Sequence, residues 1–82
     1  MKYILCNNIW EGLCFMMQKA LTKENLTVEI KNLRDDPEFF KIHEIKTCPV
    51  LLVFDNERVV DTIRGKDEII QTLKDNVQDR EI

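Results

Sequence analysis

Six consecutive residues without a polar side chain, PVLLVF from Pro49 to Phe54, constrain the fold of this chain more than any other segment. A strand with one solvated face alternates apolar and polar residues, whereas a strand covered on both faces reads as a continuous apolar run. Proline cannot donate a hydrogen bond to a neighbouring strand, so Pro49 fits only at the first residue of such a strand. The segment therefore predicts a central strand that is buried on both faces.

The part of the chain before this strand alternates between strand and helix patterns. Lys2–Cys6 is a short apolar run that ends at the turn formers Asn7 and Asn8, and it predicts a first strand. Apolar residues at helical spacing predict a helix from Trp10 to about Thr22, and the alternating segment after it predicts a second strand. The apolar residues are Leu13, Met17, Ala20 and Leu21 in the helix, and Leu26, Val28, Ile30 and Leu33 in the strand.

A second, short helix is predicted immediately before the apolar strand. Asp36 followed by Pro37 is typical of a helix start, because an acid serves as the N-cap and proline tolerates the first helical position. The helix PEFFKIHEI is then expected to turn Phe39, Phe40 and Ile42 toward the core.

A hairpin and a last helix are predicted after the apolar strand. The turn at residues 55–57 leads into RVVDTIR (Arg58–Arg64), which we expect to pair with the apolar strand. Gly65 ends this second strand of the hairpin. An amphipathic helix is predicted from about Lys66 to Asn76. Its core-facing residues are Ile69, Ile70, Leu73 and Val77. The predicted order is β-α-β-α-β-β-α.

Composition excludes several classes of function. The 82 residues, taken as one domain over 1–82, suffice for a single core with little left for further modules. Charged residues make up 33% of the chain, with a net charge of −3 and both signs interspersed, so we expect neither a nucleic-acid partner nor a membrane surface. Three cysteines at irregular separations favour reduced thiols over a disulfide framework or a metal site. We therefore expect a cytoplasmic monomer without a metal.

The predicted order resembles the thioredoxin family in its small, glutaredoxin-sized form. The resemblance covers nearly the whole chain and includes WEGLC (Trp10–Cys14) against the family's W-C-G-P-C. It also includes LTVEIKNLRDDPEFFKIHEIKTCPVLLVF (Leu26–Phe54) and RVVDTIRGKDEII (Arg58–Ile70). It implies an α/β thioredoxin-like fold with a four-stranded mixed sheet in the order 2-1-3-4, flanked by three helices. Helices one and three would lie on one face and helix two on the other, and the Cys48–Pro49 peptide bond would be cis.

The same resemblance implies a degenerate redox site. Family members carry an attacking thiolate at the start of the first helix and a resolving cysteine three residues later. Here Glu11 stands at the nucleophile position and Cys14 at the resolving position. The buried acid and lysine that assist proton transfer in the family correspond to Leu5 and Ile30. Leu13 replaces the motif's proline, so the resemblance implies a site without standard dithiol–disulfide exchange.

Glu11 and Cys14 each have two interpretations. Glu11 is either an ordinary acid at a helix start, which stabilises the helix by about 0.3–1 kcal/mol, or a permanent mimic of the thiolate that keeps a partner surface negative. For Cys14 the helix dipole lowers the thiol pKa, whereas burial and the Glu11 anion raise it. We expect the second pair of effects to dominate and Cys14 to be a sluggish thiol.

Cys48 is the second candidate redox residue. In the family, the residue before the cis-proline packs against the redox site, so Cys48 is expected close to Cys14 and Glu11. It is either a small apolar filler, because free cysteine is among the most buried residue types, or a replacement for the missing nucleophile that pairs with Cys14. Cys6, at the end of the first strand, is expected in the core.

The resemblance also implies a binding groove. Trp10 is either an exposed aromatic edge of this groove or a staple for the helix start. Thr47 and Pro49 would hold the backbone of a bound glutathione or peptide, and Gly65 with Asp67 would hold the γ-glutamyl end of glutathione. Lys66 departs from the glutaredoxin pattern at that point.

Three functions remain open from the sequence. The first is a member of the thiol-redox family with degenerate or altered chemistry, and the second is a binding module that uses the groove without turnover. The third is a glutathione-linked monothiol protein. Whether the chain is an enzyme is left undecided; if it is active, it would be a thiol-disulfide oxidoreductase with altered chemistry.

Overall fold

The computed structural model describes residues 1–8 and 10–81, with side chains described as far as Asn76. The elements are β1 (Lys2–Asn7), α1 (Gly12–Lys23), β2 (Glu29–Asn32), α2 (Pro37–Ile42), β3 (Val50–Asp55), β4 (Arg58–Arg64) and α3 (Lys66–Glu81). Their order is the β-α-β-α-β-β-α order predicted from the sequence.

The four strands form one mixed sheet in the order β2-β1-β3-β4. β1 pairs with β2 in parallel and with β3 antiparallel, and β3 pairs with β4 antiparallel. The apolar run of β3 therefore lies inside the sheet, and Val50 through Phe54 are all buried. The sheet order and the central position of β3 confirm the predictions.

Side chains that alternate along β1 and β3 form two cores, one on each face of the sheet. One core joins the sheet to α1 and α3 and contains Leu5, Met17, Leu21, Leu51, Ile69 and Leu73. The other joins it to α2 and contains Ile4, Cys6, Phe40, Val50, Leu52 and Phe54. Helices one and three thus share a face and helix two covers the other, as predicted.

The inward face of α1 differs from the prediction. Leu13 was expected in the core but is 64% exposed, and Cys14 is buried in its place. The helix begins at Gly12 rather than Trp10, and positions 14, 17 and 21 lie on one face at a spacing of three and four residues. The prediction for Leu13 was wrong because the apolar residues of α1 cover more of its circumference than the sheet can bury.

The prediction that Ile42 faces the core was also wrong, since its side chain is 70% exposed. α2 ends at Ile42, and the chain turns at Glu44, which has a φ of 53°. Ile45, beyond this turn, packs against the core instead, together with Phe39. Asp36 is the N-cap residue as predicted, although its side chain makes no capping hydrogen bond.

The second strand is shorter than the alternating pattern indicated. β2 spans only Glu29–Asn32 at the edge of the sheet, so Ile30 and Leu33 are largely exposed. Leu26 and Val28 precede the strand and pack against the core. The predicted core residue Val77 lies outside the described side chains.

Four of the described residues have a backbone in the left-handed region, namely Asn25, Glu44, Asn56 and Gly65, and the last two lie in connections next to β4. Asn56 turns the β3–β4 hairpin with a φ of 59°, and Gly65 joins β4 to α3 with a φ of 92°. Glycine has no Cβ and adopts the second of these conformations without strain. Both residues lie where the sequence predicted a turn.

Candidate functional site

The segment between β1 and α1 brings Glu11 to the start of a helix. Glu11 is the N-cap of α1, with an extended backbone and an exposed side chain that makes no capping hydrogen bond. Its backbone N–H donates to the Asn8 carbonyl at 3.0 Å, which closes a tight turn after β1. The carboxylate therefore stands free at the positive end of the α1 dipole, and an anion there stabilises the helix by about 0.3–1 kcal/mol.

Cys14 lies one turn into α1 and is sealed from solvent, with 1% of its surface exposed. The backbone N–H of Asn8 donates to Cys14 Sγ at 3.2 Å. Burial raises the pKa of this thiol, and the Glu11 charge adds to the effect, while hydrogen bonds from Asn8 and from the Cys48 side chain lower it. The raised pKa has the direction expected from the sequence, so Cys14 is protonated at neutral pH.

Cys48 is half-buried beside Cys14, at the residue before β3, and the Cys48–Pro49 peptide bond is cis. Burial above all, together with the neighbouring Cys14 and Glu11, raises the pKa of its thiol from 9.0 to about 12. The proximity of the two thiols raises the pKa of Cys48 and lowers that of Cys14. The structure thus brings together Glu11, Cys14 and Cys48.

A third thiol, Cys6, adjoins this pair and was treated only as a core residue in the sequence analysis. It is fully buried in β1, and burial together with nearby Cys48 raises its pKa to about 12. The antiparallel register pairs Cys6 with Val50, two residues after Cys48. Knowledge of this register would have indicated that Cys6 lies near Cys48. We call Cys6, Cys14 and Cys48 the thiol cluster.

Alkylation should distinguish the three thiols of the cluster. We expect Cys48 to react first, Cys14 slowly and Cys6 only on unfolding, because accessibility falls in that order. The Cys48 rate should rise about tenfold per pH unit between about pH 7 and pH 9 without levelling off, since only the thiolate reacts. Mass mapping of quenched samples gives each rate, and the urea-unfolded chain is the control. Cys6 or Cys14 reacting first would contradict this order.

Comparison with known proteins gives structural matches alone. No family model matches the chain, and neither does any curated protein sequence. Thioredoxin 1 from Thermosipho africanus superposes over 100% of both chains at 17% identity and a TM-score of 0.65. Thioredoxin from Plasmodium falciparum covers 90% of this chain and 78% of its own, at 18% identity and a TM-score of 0.64. Mitochondrial thioredoxin 3 from Saccharomyces cerevisiae covers 89% and 76%, at 20% identity and a TM-score of 0.62.

The chain has the thioredoxin fold. In the sequence comparison with the family, Leu5 stands at the position of the buried acid and Ile30 at the position of the buried lysine. They are partners in the parallel register of β1 and β2, and Leu5 is fully buried. Neither side chain can accept or donate a proton, so the thioredoxin-fold scaffold offers no proton carrier to Cys14 from these two positions.

The sequence-predicted groove residues lie on several elements of the thioredoxin fold. Trp10 is 75% exposed, which rules out the staple interpretation and leaves an aromatic surface next to Glu11. Thr47 is exposed and Pro49 is buried. The β3–β4 register pairs Val50 with Arg64, which sets Gly65 opposite Pro49. Asp67 lies in the first turn of α3, with its carboxylate 3.3 Å from Lys66 Nζ. Glutathione binding by these residues stays a prediction.

Asn7 is a buried polar residue that the sequence analysis did not single out. Its side chain is fully buried at the end of β1, yet neither its Nδ2 nor its Oδ1 has a hydrogen-bond partner among the described residues. Asn32, its register partner on β2, has a buried Oδ1 without a partner as well. Because Leu5 and Asn7 point to the same side of the strand, this amide lies on the α1 face, directly before the turn that leads to Glu11.

His43, the one histidine of the sequence, lies against two aromatic rings. Its ring centroid is 4.5 Å from that of Phe39 and 5.6 Å from that of Phe54. Among the side chains that the structure describes, in residues 1–8 and 10–76, no three or more from acidic residues, histidine and cysteine are grouped so that they could hold a metal ion. No described helix is both long and apolar enough to cross a membrane.

Proposed function

We propose that this chain is a thioredoxin-like protein of the thiol-redox family that lacks standard dithiol–disulfide exchange and binds its partner without turnover. One observation carries the proposal: Glu11 is the N-cap of α1, which is where the resemblance to W-C-G-P-C would place the attacking thiolate. A carboxylate cannot form a mixed disulfide with a substrate. The usual first step of exchange therefore has no nucleophile.

The state of the three thiols supports the same proposal. Each has a raised pKa with burial as the largest cause. Reactive cysteines in this fold owe their nucleophilicity to a lowered pKa, since only the thiolate attacks sulfur. A cluster of protonated thiols, with two of the three sealed in the core, favours binding over catalysis.

The proposed binding surface is the groove beside Glu11. Exposed Trp10 offers an aromatic contact, and the Glu11 carboxylate makes this surface negative. Thr47 is exposed directly before Cys48, where an extended polypeptide could pair with the backbone. We propose a protein partner in a reducing, cytoplasmic setting, with glutathione as the alternative small ligand.

Insulin reduction in the presence of thioredoxin reductase and NADPH tests the absence of exchange. We expect the rate of insulin reduction with the unaltered chain to equal the background rate without added thioredoxin, because no thiol of the chain can start the attack on the insulin disulfide. A Cys14→Ser variant is the matched control and should give the same rate. Robust turnover by the unaltered chain that disappears in Cys14→Ser would overturn the proposal.

A second candidate function is altered redox chemistry between Cys14 and Cys48. It is favoured by the proximity of these two side chains, each of which affects the pKa of the other. Oxidised glutathione would take two electrons and two protons from the pair and leave a disulfide between α1 and the start of β3. Mass mapping after such oxidation detects the cross-linked peptide, and its absence at every ratio of oxidised to reduced glutathione would exclude this candidate.

The glutathione alternative has its own measurement. A titration of the chain with reduced glutathione, followed by amide chemical shifts, should move Thr47, Gly65 and Asp67 together if these residues hold the ligand. Shifts confined to other residues, or none, would leave a protein partner as the proposed ligand of the groove.

A further inference from the structure

A small cavity lies on the α2 face of the sheet, between β4 and the segment that joins α2 to β3. Its floor is formed by the buried residues Val50 and Leu52, which belong to the core under α2. The β3–β4 register pairs Val50 with Arg64 and Leu52 with Thr62, so the two β4 side chains lie on the same face as the floor. Residues 43–47 form the opposite wall. The cavity is thus built from β3, β4 and the loop before β3.

Positively charged residues without a counter-charge border this cavity. Lys46 and Arg64 both line it, and neither makes an ion pair within the part of the chain that the structure describes. The hydroxyl groups of Thr47 and Thr62 add donors that can rotate toward a ligand. Glu44 also lines the cavity and forms no ion pair with either cation. Cations therefore outnumber acids in the described lining, although the whole chain has a net charge of −3.

The size of the cavity restricts what it can hold. Its volume is about 60 Å³, whereas sites for drug-sized ligands have roughly 300–1,000 Å³. One water molecule needs at least about 10–15 Å³, so the cavity has room for about four or five waters, or for one phosphate group in their place. A nucleotide or a folded peptide segment does not fit inside it. The occupant is therefore a single small group, either free or at the end of a larger molecule.

We propose that this cavity binds one phosphate group, held by Lys46 and Arg64 with the hydroxyl groups of Thr47 and Thr62. A phosphate monoester carries a charge of about −1.5 to −2 at pH 7 and three strong acceptor oxygens. Two cations without a counter-charge match this dianion, and arginine binds phosphate through its planar fork of N–H donors. A carboxylate has a single charge and leaves one of the two cations without a counter-charge.

The phosphate can come from two sources. One is a free phosphate or phosphate monoester, and the other is a phosphorylated side chain of a protein partner. The site does not depend on the proposed function, because its described lining contains no thiol. Thr47 belongs both to the cavity and to the groove, so a phosphate bound here would lie beside a partner in the groove.

Titration of the full chain with inorganic phosphate at constant ionic strength, followed by amide chemical shifts, tests the site. We expect Lys46, Thr47 and Arg64 to shift together with a dissociation constant of about 1 mM, because each contact lies at an exposed position. Arg64→Gln should weaken binding at least about tenfold, since it removes a charged donor. Arg58→Gln is the matched control, because it removes the same charge at the other end of β4, and it should leave binding unchanged.

Two results of this titration would overturn the proposal. One is phosphate binding that Arg64→Gln and Arg58→Gln affect equally, and the other is a set of shifts spread over lysines and arginines throughout the chain. Either result would show an adventitious ion only.

Glu44→Gln gives a test in the opposite direction. It removes the negative charge from the lining, so phosphate binding should become about threefold tighter, the scale of an interaction between exposed charges. The same titration measures the change. Unchanged or weaker binding would place the phosphate away from this cavity and contradict the proposal.

Two further ligands define the chemistry and its source. Acetate should bind at least about tenfold more weakly than phosphate, because it carries one charge and two acceptor oxygens. Equal binding of acetate would overturn the assignment of a phosphate. A phosphoserine tripeptide with blocked ends separates the two sources: tighter binding than inorganic phosphate supports a phosphorylated partner, and weaker or equal binding supports a free phosphate.

Discussion

Glu11→Cys is expected to give this chain a disulfide with Cys14 and a measurable rate of insulin reduction. The introduced thiol would stand at the N-cap of α1, where the helix dipole and the free N–H groups lower a cysteine pKa from about 8.5 to the range 3.5–7.5 found in such motifs. The substitution also removes the carboxylate that raises the pKa of Cys14 and Cys48. We expect a gain of at least about tenfold over the unaltered chain, because thiolate fraction controls the first step.

The rate of Glu11→Cys should still fall below that of a thioredoxin. Leu5 offers no acid beneath the site, so the resolving thiol Cys14 must lose its proton without a neighbouring base. Glu11→Ser is the control for removal of the charge alone and should stay inactive. Glu11→Cys combined with Cys14→Ser should trap a mixed disulfide without turnover. If oxidised Glu11→Cys retains two free thiols at positions 11 and 14, the assignment of Glu11 to the nucleophile position is wrong.

Asn7→Leu is expected to raise the free energy of unfolding by about 1–3 kcal/mol, the usual cost of a buried polar group without a hydrogen-bond partner. The Asn7 amide is fully buried on the face of the sheet that packs against α1, and neither of its polar atoms is paired within the described residues. Leucine has a similar branched shape and brings no polar atom. Urea unfolding of the unaltered chain and of Asn7→Leu measures the difference in the free energy of unfolding, when both curves are fitted with the same dependence of that free energy on urea concentration.

The same substitution at a paired amide provides the control. Asn76 accepts a hydrogen bond from the Tyr3 hydroxyl at 2.7 Å and donates one to the Thr72 carbonyl at 2.8 Å. Asn76→Leu should therefore destabilise the chain. Asn7→Val is a second test with a smaller apolar side chain, in case leucine is too large for the site and destabilises it by overpacking. If both Asn7 variants lose stability, the amide has a partner, such as a buried water, and the prediction is wrong.

A buried polar group beside the site fits the pattern in which local rules are broken near functional residues. Asn7 ends β1 directly before Asn8, whose N–H and carbonyl organise Cys14 and Glu11. A stabilised Asn7→Leu chain with unchanged thiol labelling would separate the stability of the fold from the geometry of the site. Altered Cys14 labelling would instead connect the amide to the position of that thiol.

The sequence by itself determined the order of elements and the central strand, whereas the division of helices between the two faces was an implication of the resemblance to the thioredoxin family. The order and the central strand follow from local patterns: an apolar run without polar positions, alternation, and helix or turn signals such as Asp36–Pro37 and Gly65. Each pattern is a property of neighbouring residues, so it can be read without knowing which segments meet. The resemblance of WEGLC to the W-C-G-P-C motif, with Glu11 at the first cysteine, was equally readable because it lies within one short segment.

Only the tertiary structure decided which side chains are buried and which meet. Leu13 and Ile42 satisfied the helical patterns, yet the sheet covers Cys14 and Ile45 instead, because the phase and end of each helix depend on what packs against it. The antiparallel register of β1 and β3 brings Cys6 near Cys48, and the packing of α1 brings Cys14 to the same place. The unpaired amides of Asn7 and Asn32 arise from the parallel register of β1 and β2. Burial and register are set by contacts between distant segments, and a local pattern carries no information about them.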